Sequence, residues 1–272
     1  KEKTFAAVQG KGESYALGSQ IVGSVISGFV YSLNKELPLL ISAVLMVCST
    51  IISLFMYEIK TYEQEEKPGY FQQIGISARF LLTHQRVRSI VLYSIFFAVF
   101  FRIGFWYYQP YFQDIGIQSE YFGIIFALFN IVATLSARSA GKLIEWTRGK
   151  SMILLSVLMT VSFLLLGVTR LSFGFVFICL QQVVRGVQVP VFMKYMNKHI
   201  PSNQRATIIS CSSLLKNLAV AAAFPVAGFF MDRMDAVQIN LYTGLLMAAG
   251  TVFFYFFLNN KMKKTDTIRT NA

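Results

Sequence analysis

Three cations stand inside otherwise apolar stretches of this 272-residue chain: Arg102 in VLYSIFFAVFFRIGFWYYQPYFQ, Arg185 in LQQVVRGVQVPVF and Lys216 in ATIISCSSLLKNLAVAAAFP. Each has polar company on its own helical face. Arg102, Trp106 and Gln109 stand at i, i+4 and i+7, as do Gln181, Arg185 and Gln188. Ser212 and Ser213 come one turn before Lys216. A charge at the centre of a bilayer costs at least ~3 kcal/mol, so it needs a partner, water or a bound solute. The chemistry these residue types offer is recognition of negative or polar groups by charge and hydrogen bonding. It is not bond making, because the span interiors contain no His, Asp or Glu. A nucleophile–base pair and a set of metal ligands are both missing, so we expect no enzyme, no metal and no cofactor.

The elements that carry these residues follow from hydropathy. The chain is 55% hydrophobic and only 14% charged, where a soluble domain carries about 25% charged residues. Runs of about 20 apolar residues cross a bilayer as helices. Eight are expected, at 14–33, 37–57, 89–112, 120–137, 151–169, 172–193, 206–231 and 237–259. The fold class is therefore an all-α, polytopic membrane helix bundle. Its net charge of +12 does not point to nucleic acid, because the cations are sided. Alternate loops place nineteen of the 25 on one face and only Lys35, Arg170 and Arg233 on the other. By the positive-inside rule both ends of the chain are cytoplasmic, in a cell membrane. The cysteines Cys48, Cys179 and Cys211 fall within spans and have no disulfide or metal spacing. The chain opens on Lys1 rather than Met, which suggests an absent natural beginning.

The expected organisation is 1–57 (two spans), 58–88 (a cytoplasmic linker), 89–260 (six spans) and 261–272 (a basic cytoplasmic tail). Within the linker, Phe71, Ile74, Phe80 and Leu81 recur at helical spacing among polar residues, as in a helix lying on the membrane surface. The first span carries Gly18, Gly23 and Gly28 with Ser19, Ser24 and Ser27, which suits either a sliding helix or a static packing face. In the fourth span, Asn130 either reaches a cavity or bonds a neighbouring helix. The uncharged fifth and eighth spans read as lipid-facing and peripheral. Drug–proton antiport normally needs a membrane acid, but the only acid in the eight spans is Glu120, at an outer edge. The three cations thus take carboxylates from other helices or hold an anionic or polar solute. Proton release by Lys216 is a minor route to coupling.

The stretch SARSAGKLIEWTRGKS carries Gly141, then Glu145 four residues on, then Gly149 between Arg148 and Lys150. This resembles the loop signature of the major facilitator superfamily, with a departure at Trp146, where the family commonly has Arg. Glycine there would allow a tight turn, and Glu145 could exchange ion-pair partners as a gate moves. The Arg205-Ala-Thr sequence after Pro201 is similar to drug-efflux-like branches. The resemblance implies a part of a twelve-helix fold, from the fifth to the twelfth helix, with four opening helices absent. It implies a solute cavity between two halves and alternating access. Arg102, Trp106, Gln109, Asn130, Gln181, Arg185, Gln188, Ser213 and Lys216 then become candidate solute-binding residues. Gly141, Glu145, Arg148, Gly149 and Lys150 become candidate gating residues. The implied function is secondary transport of a small organic solute, first as efflux, with proton coupling left open. The alternatives are uptake of an anionic or polar solute and a non-transporting receptor or scaffold.

Overall fold

In lipid a backbone satisfies its polar groups internally, so apolar runs fold as helices. The computed structural model describes residues 2–55, 69–147, 150–200 and 205–270, without the side chains of 2–17, 198–199, 258–270 and seven positions between 70 and 82. The helices are α1 (Glu2–Leu33), α2 (Leu37–Leu54), α3 (Tyr70–Thr83), α4 (Gln85–Asp114), α5 (Phe122–Arg138), α6 (Ala140–Trp146), α7 (Ser151–Val168), α8 (Ile178–His199), α9 (Arg205–Met231) and α10 (Ala236–Thr270). Among the described residues seven helical segments are long and apolar enough to cross a membrane. The first expected span, 14–33, lies in helix α1, which is not among those seven. Pro110, Pro190 and Pro225 lie inside continuous helices.

The chain divides into two units. The first comprises Lys1–Gly69 and Gln118–Ile131. Here α1 packs on α2 and on the turn that leads into α5. A Cβ on Gly123 would stand 2.6 Å from the Ser24 carbonyl oxygen and 3.0 Å from Gly28 Cα. The backbones therefore touch, which only small residues permit. The Asn130 amide donates to Ser24 Oγ at 3.2 Å within this same unit.

The second unit comprises Tyr70–Ile117 and Val132–Ala272. Its core takes Tyr93 and Phe97 from α4, Leu155, Met159 and Phe163 from α7, Val184 and Val191 from α8, Ile208 from α9 and Met247 from α10. Water is not the alternative environment for these side chains. In lipid their gain comes from packing shape rather than from leaving water. Gly167 and Gly244 make this concrete. Each lets α7 and α10 close to backbone contact, at Leu241 and Leu164 respectively.

Two expectations need correction. The fifth span is not simply lipid-facing, because α7 buries Leu155, Met159 and Phe163 completely. An uncharged helix has the same composition whether lipid or protein covers it. The 136–151 stretch is not all loop, because Ala140–Trp146 forms α6. Gly141 lies within that helix with nothing close to its Cβ position, so no tight turn requires it. Helix α3 packs on α4 and α9, with Phe80 and Leu81 buried there. Phe71 and Ile74 lie outside the described side chains.

At one end of the second unit, Gly116 takes a left-handed φ of 78° as α4 terminates. Nearby, the start of α10 is capped twice. Gln238 N donates to Asp235 Oδ1 at 2.7 Å, and Ala236 N donates to Asp114 Oδ2 at 2.6 Å. Arg170 joins Asp235 at 2.8 Å. Burial works against the charged form of the Asp235 carboxyl, but the Gln238 amide and the Arg170 guanidinium together hold it below its ordinary value.

Candidate functional site

Within the second unit, α4, α8 and α9 line a half-open cavity of about 240 Å³. Its polar lining is Ser94 from α4, Gln188 from α8, and Ser213 and Lys216 from α9. Phe97, Phe192, Met193, Met196 and Ile209 make the apolar wall, with no acid among the lining residues. Gln188 lines the cavity with Phe192, one turn on along α8, and Ser213 lines it with Lys216, one turn on along α9; Arg185 is not among the lining residues. Lys216 has no hydrogen bond or ion pair among the described residues, and it is half-buried. A volume near 240 Å³ has room for several waters or one small organic molecule. Methionine walls are adaptable in shape, and a cation without counter-charge favours a negative or polar occupant.

The other candidate residues fall elsewhere. Arg102 is exposed on α4, two helical turns from Ser94, and makes no ion pair among the described residues. Trp106, also exposed, meets Phe224 of α9 edge-on at 6.0 Å between ring centres. Gln109 is exposed beyond it. Asn130 belongs to the first unit, bonded to Ser24. Gln181 is completely buried and spends its amide inside the bundle, accepting from Tyr108 Oη at 2.8 Å and donating to Ser162 Oγ at 3.0 Å. Arg185 is half-buried, with Nη1 3.4 Å from Gln182 Oε1. Lys150 is the exposed residue preceding α7. Glu145 is exposed, without an ion pair among the described residues. Arg148 and Gly149 lie outside the described residues.

Sequence reasoning passed over Ser94, Tyr108, Ser162 and Gln182. Tyr108 was hidden in an aromatic run, and Gln182 beside the Gln181 that had been singled out. The available signal was small: a hydroxyl or amide that faces protein rather than lipid in an apolar span.

Residues 91–271 match the Major Facilitator Superfamily. The chain is 26% identical over 202 residues to YxaM of Bacillus subtilis (strain 168), described as an uncharacterized MFS-type transporter. That match covers 71% of this chain and 50% of the relative, so the chain spans about half the length of the curated relative it matches. No solved structure matches the chain.

Proposed function

The chain belongs to the Major Facilitator Superfamily, and from that premise we propose that it serves secondary transport of a small organic solute, bound at Lys216, Gln188 and Ser213. The observation that carries this reading is a cation, without an ion pair among the described residues, in an adaptable cavity whose lining holds no acid. An anionic or strongly polar group on the solute would replace the hydration that Lys216 gives up at membrane depth. The six spans of 89–260 act as one half of an alternating-access machine, with the basic loops cytoplasmic. Export is the direction suggested by the efflux-like Arg205–Thr207 segment. Arg102, Trp106 and Gln109 extend the solute's path along α4. The 141–150 segment works as a cytoplasmic gate.

The test is uptake and exchange in proteoliposomes with labelled benzoate, citrate and phosphate, each against a neutral analogue. At least one anion is expected to move faster than its neutral partner. Lys216→Gln is expected to lower that rate about tenfold or more, the scale of a lost charged hydrogen bond. Transport of neutral or cationic solutes, unchanged in Lys216→Gln, would overturn the assignment. No transport of any kind would favour a receptor or scaffold.

A further inference from the structure

A chain of hydrogen bonds runs through α4, α7 and α8 in the second unit. Ser162 Oγ donates to the Phe177 carbonyl oxygen at 2.8 Å. Gln181 Nε2 donates to Ser162 Oγ at 3.0 Å. Tyr108 Oη donates to Gln181 Oε1 at 2.8 Å. Gln182 Nε2 donates to Tyr108 Oη at 3.2 Å. Arg185 Nη1 then donates to Gln182 Oε1 at 3.4 Å. Ser162, Tyr108, Gln181 and Gln182 are all buried.

The direction of this chain is dictated by its ends. A backbone carbonyl only accepts, and a guanidinium only donates. With Phe177 accepting, the Ser162 proton is committed, and its oxygen must receive the Gln181 amide. Gln181 then turns its carbonyl to Tyr108. Tyr108 donates its one proton to Gln181, so toward Gln182 its oxygen accepts. Gln182 is thereby left with its carbonyl toward Arg185. A flipped Gln182 would turn its amide N–H toward the Arg185 donor, and a flipped Gln181 would turn its carbonyl toward the Ser162 oxygen, at a cost of ~1–3 kcal/mol for each unmet group. Gly104 keeps the relay closed in on itself, since a Cβ there would stand 3.0 Å from Gln181 Oε1.

We propose that Tyr108 and Gln182 are positioning residues: the relay presents an oriented acceptor to Arg185 and fixes its guanidinium, one helical turn from the cavity-lining Gln188. The inference deepens the transport reading and rests on it for its purpose, though not for its geometry. It gives Gln181 a task inside the relay. It also gives Arg185 a neutral acceptor in place of an acid, which would neutralise it and compete with an anionic solute.

The experiment uses the purified protein in lipid nanodiscs and reads the rate at which phenylglyoxal modifies Arg185, by peptide mass mapping, with no solute present. Arg102 and Arg170 in the same molecule serve as internal references. Gln182→Leu is expected to raise the Arg185 rate about three- to tenfold, as one hydrogen bond to a charged group is lost. Tyr108→Phe, which frees the Gln182 amide to turn, is expected to act in the same direction. Gln182→Glu, which can only accept when ionised, is expected to return the rate to that of the unsubstituted protein or below. The reference arginines stay unchanged in all three. An unchanged Arg185 rate in a folded Gln182→Leu protein, or a general rise that includes the reference arginines, would overturn the proposal. Should Gln182→Leu fail to fold, Tyr108→Phe is judged by the same criterion. Because the readout needs no solute, a failed relay and a failed transport assignment give separate results.

Discussion

Replacing Gly167 with alanine should open the seam between α7 and α10. The new Cβ would stand 2.5 Å from Leu241 N and 2.6 Å from Leu241 Cβ. Carbon contacts are comfortable at about 3.5–4.0 Å, so the helices must part by about 1–1.5 Å. The obstruction includes backbone and cannot be relieved by a rotamer change. A gap of that size forfeits about half or more of each contact's attraction along the seam. The same seam carries Gly244 against Leu164, so the loss spreads beyond one residue. Overpacking costs about 1–3 kcal/mol, while alanine returns up to ~1 kcal/mol of helix propensity. In lipid no hydrophobic term forces the helices back together. We expect net destabilisation of about 2 kcal/mol. Gly228→Ala is the control, since nothing lies within 4 Å of its Cβ position. It should be neutral or stabilising by up to ~1 kcal/mol. The assay is reversible unfolding of both variants in mixed micelles by a denaturing detergent titration. Equal midpoints for Gly167→Ala and Gly228→Ala would refute the close-packed seam.

Further predictions concern polar groups and the site. Gly186→Ala would drive a Cβ into the Ala133 carbonyl and to 2.8 Å from Ala137 N, shifting α8 with Arg185 and Gln188. Transport per folded molecule should fall at least ~10-fold, and retained rates would show that this contact does not position the site. Ser212 Oγ is buried without a partner among the described residues, so Ser212→Ala should leave the melting temperature unchanged or raise it. Ser162→Ala should lower it by the equivalent of ~1–3 kcal/mol, because it unsatisfies Gln181; equal effects of the two substitutions would count against the relay. Asp235 is held below its ordinary value, so its contribution is fully present above about pH 4 and is lost as pH falls through the lowered value. The Arg170 pair is exposed, so its own share is at most ~1 kcal/mol. Melting temperature between pH 7 and pH 3 should fall further in the unsubstituted protein than in Asp235→Asn, and parallel falls would reject this account.

The resemblance to the major facilitator superfamily rested on few residues. Gly141, Glu145 and Gly149 carried it although Gly141 lies in a short helix and not in a turn. The motif was therefore legible as a pattern before its local conformation was. Asn130 shows the complementary difficulty. Its type allowed either a cavity or a helix contact, and only its bond to Ser24 reveals a partner.

The sequence by itself determined the helical nature of the apolar runs and the presence of three cations within them. These depend on local hydropathy and on a rule with no exceptions in lipid, that the backbone must bond to itself. The tertiary structure alone decided which faces meet. It set Gln188, Ser213 and Lys216 around one cavity, drew Gln181 into a buried relay and turned the apolar α7 into part of a core. The physical reason is a loss of contrast. In water, burial separates apolar from polar faces and leaves a periodic trace in the sequence. In a bilayer the lipid and the protein interior are both apolar, so Leu155 against protein and Val157 against lipid look alike until the helices are packed.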